Sequence, residues 1–441
     1  MLALVVASPF AAGVRAATTV AAEDWPMFGG NPSHHSVVDG PAPPYRRVWL
    51  TALEEDRPRA APIGVAGALI VVAEESVVAL DASTGAIAWE VERARGPAGS
   101  PATDGQIVVH AEDRGSEASL LARRLEDGEE VWKTPVQGPA AGGLTLTDGL
   151  VFVGLRSREV VALDVETGDV VWTAEMPGRV DSSPAVADGL AIVAPEDFAD
   201  GDAAVVALDV ESGEELWQFA PEGARVGVSS ASIADDTVYV GLGDGSLRAL
   251  DAATGTQRWR SDLRLFFSAQ SAPAGRDPLA VVDRAGHAYA LDRSTGVERW
   301  VFRLPGSAAE TSPVVIGEAA LVGDSSGQVS AIDLASGLLV WKAEIPGEDI
   351  GAVAPVGDRL YVASEGAGGA IVAFEHDPNG VLLEEPSPTT LFPLRALANF
   401  AGALVLVTLA LLGVFRIAVP AIRTRRSSAG PGENGKAGTK T

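Results

Sequence analysis

The residues whose types could do chemistry are few. There are five histidines (His34, His35, His110, His287 and His376) and no cysteine. Only His34 and His35 adjoin, and neighbouring side chains on an extended segment point to opposite sides, so a shared metal ion is not expected there. The loop "PEDFADGDAA" gathers Glu196, Asp197, Asp200 and Asp202. It lacks the alternating Asp/Asn ligands and closing Glu of a calcium loop, and reads as a solvated insertion between strands. No nucleophile elbow, Walker sequence or zinc-protease helix motif is present. The most conspicuous carboxylates are Asp81, Asp164, Asp209, Asp251, Asp292 and Asp333, which recur in one phrase. A catalytic group has no reason to be present six times, so these are expected to build turns, and no catalytic, cofactor or metal residue is assigned.

The elements that position them follow from that phrase. "VVALDASTGAIAW" ending at Trp89 returns as "VVALDVETGDVVW" ending at Trp172 and "VVALDVESGEELW" ending at Trp217. Further copies end at Trp259, Trp300 and Trp341, and a degraded one, "ARRLEDGEEVW", at Trp132, so the tryptophans recur every 40 to 45 residues. Self-similarity at such a period means a repeat architecture. Each unit opens on Pro or Ser-Pro (Pro101, Ser183-Pro184, Ser312-Pro313) and continues as four short apolar runs separated by Asp-Gly or Thr-Gly. That is the pattern of antiparallel hairpins.

Four strands per unit predict the blades of a β-propeller, an all-β fold of four-stranded antiparallel blades. No Trp-Asp dipeptide occurs, and Gly-His occurs once, at Gly286-His287, which argues against a WD40 array. Within the phrase, Asp accepts backbone N–H bonds in the turn and Gly supplies the positive φ of a tight hairpin. An indole at one fixed place per blade offers a large flat surface to the neighbouring sheet, with an N–H to satisfy. Trp49, Trp89, Trp132, Trp172, Trp217, Trp259, Trp300 and Trp341 are therefore expected to dock blade on blade.

The pattern Ala-x-Asp-x-x-x-Gly-x-x-x-Trp, present in six copies from Ala79 to Trp341, resembles the tryptophan-docking motif of pyrroloquinoline-quinone-type propeller repeats. "DWPMFGGNPSHHS" from Asp24 resembles the Trp-x-x-x-Gly-Gly-Asn-Pro opening segment of that family. The resemblance covers residues 24–376 and implies an eight-bladed propeller. The last repeat has no Trp of its own, whereas "YRRVWLTAL" carries Trp49 without a preceding Ala-x-Asp phrase, so the N-terminal segment is expected to supply the outer strand of the last blade. The family's dehydrogenases hold a quinone against an adjacent cysteine pair, with a calcium site and a catalytic Asp. This chain has no cysteine and no segment that aligns with those ligands, and no cofactor is expected. It is more similar to the family's non-enzymatic branch, which includes the barrel-assembly lipoprotein scaffold. That lipoprotein's lipidated cysteine is not available here.

The net charge is −26, and residues 416–441 alone carry six Lys/Arg against one Glu. The acidic remainder is a poor surface for nucleic acid and a reasonable one for cations. Residues 1–22 read as a signal peptide lacking its positively charged start. After the propeller over 24–376 come a Pro-rich spacer over 377–394, an uncharged run over 396–415 long enough to span a bilayer as a helix, and a basic tail over 416–441. The positive-inside rule places the tail in the cytoplasm and the propeller outside the cell membrane.

The starts of the innermost strands ring one mouth of a propeller. In this chain they carry Arg179 and Asp181, Arg225, Gln270, Glu310, and Glu348 with Asp349, beside the aromatic pair Phe266 and Phe267. This face is the candidate binding surface. The expected function is a membrane-anchored extracytoplasmic scaffold for a cell-envelope protein or ligand, with a small quinoprotein-like dehydrogenase or cation-dependent enzyme as the alternative.

Overall fold

The computed structural model describes residues 24–383 apart from 54–55, 95, 97–98, 114–117, 198–201, 222–228, 264–271, 308–311, 348 and 367–368. The expected signal peptide, membrane helix and basic tail lie outside the described residues, as does the spacer from 384 onward. Among the described residues no helix is long and apolar enough to cross a membrane.

The repeats fold as eight antiparallel sheets arranged as a propeller. Blade 1 spans 63–92, blade 2 102–136, blade 3 145–175, blade 4 185–219, blade 5 232–262, blade 6 274–303 and blade 7 314–344. Blade 8 joins Ile350–Val356, Arg359–Ser364 and Ala370–His376 to the N-terminal strand Tyr45–Ala52. That outermost strand pairs antiparallel with its neighbour, Tyr45 opposite His376 and Ala52 opposite Ala370, so the two ends of the propeller close the ring. In blade 6 the innermost strand is reduced to the bridge between Ala274 and Ala280, and blade 7 gains a fifth strand, Val37–Val38, on its inner edge.

Each of the eight junctions between consecutive blades has its own apolar cluster. Tyr361 and Ile371 of blade 8, for example, pack with Leu69 and Leu80 of blade 1. Such cores form because Val, Ile, Leu and Ala fill the three inner strands, which are buried on both faces. The outer strands alternate, as in Val170–Glu175, where Trp172 and Ala174 are buried and the residues between them are exposed.

Docking is more specific than the sequence implied. Every outer-strand indole Nε1 donates to a carbonyl of the next blade: Trp89 to Leu125, Trp132 to Val165, Trp172 to Val210, Trp217 to Ala252, Trp259 to Arg293 and Trp300 to Leu334, at 2.8–3.0 Å. Trp341 donates to Tyr45 and Trp49 to Ala82, carrying the pattern through the seam. The indole lies on the turn glycine of that next blade. A Cβ on Gly213, whose φ is +72°, would stand 2.6 Å from the Trp172 ring. The phrase's Asp organises the same turn: Asp209 Oδ1 accepts from the Ser212 hydroxyl and from the backbone N–H groups of Glu211 and Ser212. The Ser212 hydroxyl and these amides hold the Asp209 carboxyl below its usual range.

Two glycines separate the conformational requirement from the contact. Gly189 has nearly the same φ, +79°, but nothing lies within 4 Å of its would-be Cβ. Gly189→Ala is expected to cost about 1 kcal/mol, the penalty of a left-handed alanine. Gly213→Ala should cost about 3 kcal/mol, because the methyl also displaces the indole. Equal losses in denaturant titrations of the two variants would remove the docking role assigned to the glycine.

Candidate binding face

The innermost strands meet at a hub built from one equivalent position per blade: Ala61, Ser100, Gly143, Ser183, Ser230, Ala272, Ser312 and Ala352. The Ser-Pro openings of the repeats have their reason here. A hub serine hydroxyl accepts the backbone N–H of the preceding blade's hub residue, Gly143 to Ser183 at 2.7 Å, Ser183 to Ser230 at 2.9 Å and Ala272 to Ser312 at 2.8 Å. A proline can follow because its own missing N–H is not part of this ring.

Across the hub lies the segment 24–38. Three residues beyond the hub position, the N–H groups of Gly64, Thr103, Val186, Ile233, Gly275 and Val315 donate to the carbonyls of Trp25, Pro26, Pro32, Ser33, His35 and Ser36 in turn, at 2.7–3.0 Å. Blade 8 has Pro355 at this position and no N–H to give. Blade 3 is reached by a side chain instead: His34 is fully buried, with Nε2 3.0 Å from Thr145 Oγ1. The Thr145 hydroxyl spends its proton on the Pro184 carbonyl at 2.5 Å, so the imidazole Nε2–H is the donor. Burial, with His35 beside it, pushes the His34 pKa down to about 3, so the ring is neutral. Trp25, Met27 and Phe28 are buried beneath the segment, and the reversal at Gly29 and Gly30 uses positive φ at both. The adjacent histidines do point apart. His35 faces the surface, where burial and Arg293 lower its pKa.

At the other mouth, the strand starts bring together part of the expected set. Asp181 is 9% exposed and holds two guanidinium groups, Arg156 Nε at 2.8 Å and Arg179 at 3.4 Å. Arg156 belongs to a hairpin of blade 3, and no feature of its local sequence announced it. The backbone of Arg179 also pairs with that of Glu196, which anchors the acidic insertion, a small ribbon of Glu196–Asp197 with Asp202–Ala203, beside this cluster. Asp349 takes the place in blade 8 that Arg179 takes in blade 4, its carbonyl accepting from the Glu365 N–H. Four blades apart in a ring of eight, the two share a mouth but stand on opposite sides of it. Arg225, Phe266, Phe267, Gln270, Glu310 and Glu348 lie outside the described residues. Among the described residues no group of three or more His, Asp or Glu could hold a metal ion.

Such a ring of four-stranded, tryptophan-docked blades with a self-plugged hub defines a propeller of pyrroloquinoline-quinone-type repeats. Residues 42–122, 116–266 and 243–389 match the family model of the outer membrane protein assembly factor BamB, and the chain belongs to that family. BamB of Nitrosomonas eutropha is 27% identical over 135 residues, 30% of this chain and 32% of the relative. The chain spans well under two thirds of the length of the curated relatives it matches first. The crystal structure of BamB from Moraxella catarrhalis superposes with a TM-score of 0.61 at 21% identity, over 77% of this chain and 99% of that one. A quinohemoprotein alcohol dehydrogenase from Comamonas testosteroni superposes with a TM-score of 0.67 at 14% identity, over 82% of each chain, a likeness of fold alone.

The buried imidazole makes stability depend on pH. Near pH 7 His34 is neutral in both states. Below about 6.5 the unfolded chain takes up a proton that the folded protein refuses until about pH 3, so the unfolded state binds more protons and stability falls as the pH is lowered. His34→Gln keeps a donor for Thr145 and removes the titration. Its melting temperature should fall less than that of the unaltered protein between pH 7 and pH 4, and parallel curves would show that His34 does not refuse the proton.

Proposed function

We propose that this protein is a membrane-anchored extracytoplasmic scaffold whose propeller binds a protein of the cell envelope through the mouth opposite the plug. Membership of a family described by an outer-membrane assembly factor supports the class of function. The Arg156–Asp181–Arg179 cluster supports the face. It sets two half-exposed guanidinium groups beside the acidic insertion, a mixed-charge surface suited to electrostatic recognition of a partner. Phe266 and Phe267 belong to the same proposed surface, as aromatic anchors of the kind that dominate interface energetics. The run over 396–415 would tether the propeller through one helix, with the basic tail inside. The acidic exterior suits a cation-rich setting.

Two experiments test this. Replacing Arg179, Arg225 and Phe266 with Ala should reduce crosslinking of the full chain to its envelope partner several-fold while the melting temperature holds. Loss on rim substitutions instead would move the site to the rim. Protease added to spheroplasts should remove the propeller and leave a C-terminal tag intact; digestion of the tag would reverse the orientation.

A further inference from the structure

We propose that the hub of this propeller is a peptide-binding site, filled in cis by residues 24–38, whose ligand class is a glycine-containing peptide folded through tight turns and read through its main-chain carbonyls. Four observations carry this. The recognition is by backbone: six blades give one N–H each to six carbonyls of the segment, which turns at Gly29-Gly30 to pass from blade to blade, a mode that reads the path of the main chain and not a particular side chain. The segment stands outside the repeat it contacts. It pairs with blade 1 only through the isolated antiparallel bridge of Trp25 with Gly64, and its one strand, Val37–Val38, runs parallel to Val315 and Ile316, whereas the strands within the blades pair antiparallel. Ring closure does not depend on it, because the closing strand is Tyr45–Ala52. Lastly, the fit is incomplete: a cavity of about 30 Å3, room for a water molecule or two, remains between Trp25, Gly29 and Ser36 of the segment and Ala61, Ser312 and Ala352 of blades 1, 7 and 8.

Two residues give the site its selectivity. The His34 imidazole must enter neutral and donate to Thr145. Gly30 must be glycine, since its φ is +77° and a Cβ there would stand 2.3 Å from the Trp25 ring. A peptide from another chain that met these conditions could take the hub in place of the resident segment.

The link to the closing strand is accessible to a protease, with the Asp39 side chain 97% exposed. In the full chain, a site-specific protease sequence inserted between Gly40 and Pro41 would be cut after folding. The expected result is that the freed N-terminal fragment co-elutes with a folded propeller, exchanges for a fluorescent synthetic peptide of residues 24–40, and that His34→Ala or Gly30→Ala in the peptide weakens binding about tenfold or more. A scrambled peptide should not bind. The proposal is overturned if the near-ultraviolet signal of the propeller tryptophans collapses when the fragment is removed, because the segment is then part of the core. It is equally overturned if the fragment never exchanges, or if the scrambled peptide binds as well as the native one. None of these readings depends on the envelope partner or the membrane anchor.

Discussion

An indole lying on the next blade's turn glycine, with its N–H on that blade's carbonyl, is the contact on which this ring depends. It fixes three residues at once in six of the eight repeats, blades 2 and 8 lacking the aspartate. The aspartate folds the turn, the glycine leaves the turn flat enough to be covered, and the tryptophan of the preceding blade covers it. Burying most of an indole contributes on the order of 2–3 kcal/mol and its hydrogen bond about 1 more. Repeated around the ring, that term ties each sheet to a neighbour in a fold where a sheet has almost no contact beyond its neighbours.

The seam shows the same constraint met by other means. Blade 8 takes its outer strand from the N-terminus and so has no Asp-to-Gly turn to receive Trp341. The indole donates instead to the carbonyl of Tyr45, and the rings of Tyr45 and Phe374 meet it edge-on at 5.3 and 5.6 Å. Trp49 then returns to the ordinary pattern on Gly85 and Ala82 of blade 1. Both junctions of the last blade therefore pass through Tyr45–Ala52, and closure is decided by one strand.

The fold was largely legible because its information is in side chains that repeat. Period, strand count and the displaced Trp49 can all be read by aligning the sequence with itself. The plug was not, although its motif was visible, since its bonds are made by carbonyls that every residue carries. Only the paired glycines and the buried Trp25, Met27 and Phe28 could have hinted that the segment is packed and turned sharply. At the opposite mouth, register sufficed to put Arg179, Asp181 and Asp349 on one face. It could not give their separation across the ring, nor the ion pair with Arg156, which reaches Asp181 from another blade.

Near-symmetry also limits where function can reside. A feature present in every blade is needed by the ring, so recognition must be sought where the repeat is broken. The plug breaks it at one face. In blade 2, where the aspartate phrase is degraded, Arg123 is buried and donates to the equally buried His110, a polar pair in a layer that is apolar in most other blades. Blades 5 and 6 replace the aliphatic residue before the tryptophan with Arg258 and Arg299, each bridging two aspartates on the rim. Among the described residues, blade 4 is where such departures converge on a mouth. Its strand start holds the carboxylate shared by Arg156 and Arg179, and its acidic insertion is bonded to the backbone of that same Arg179. Where two independent breaks in a repeat meet at one open end of the ring, the residues there are set by contacts of their own and not by the docking that fixes the rest of each blade.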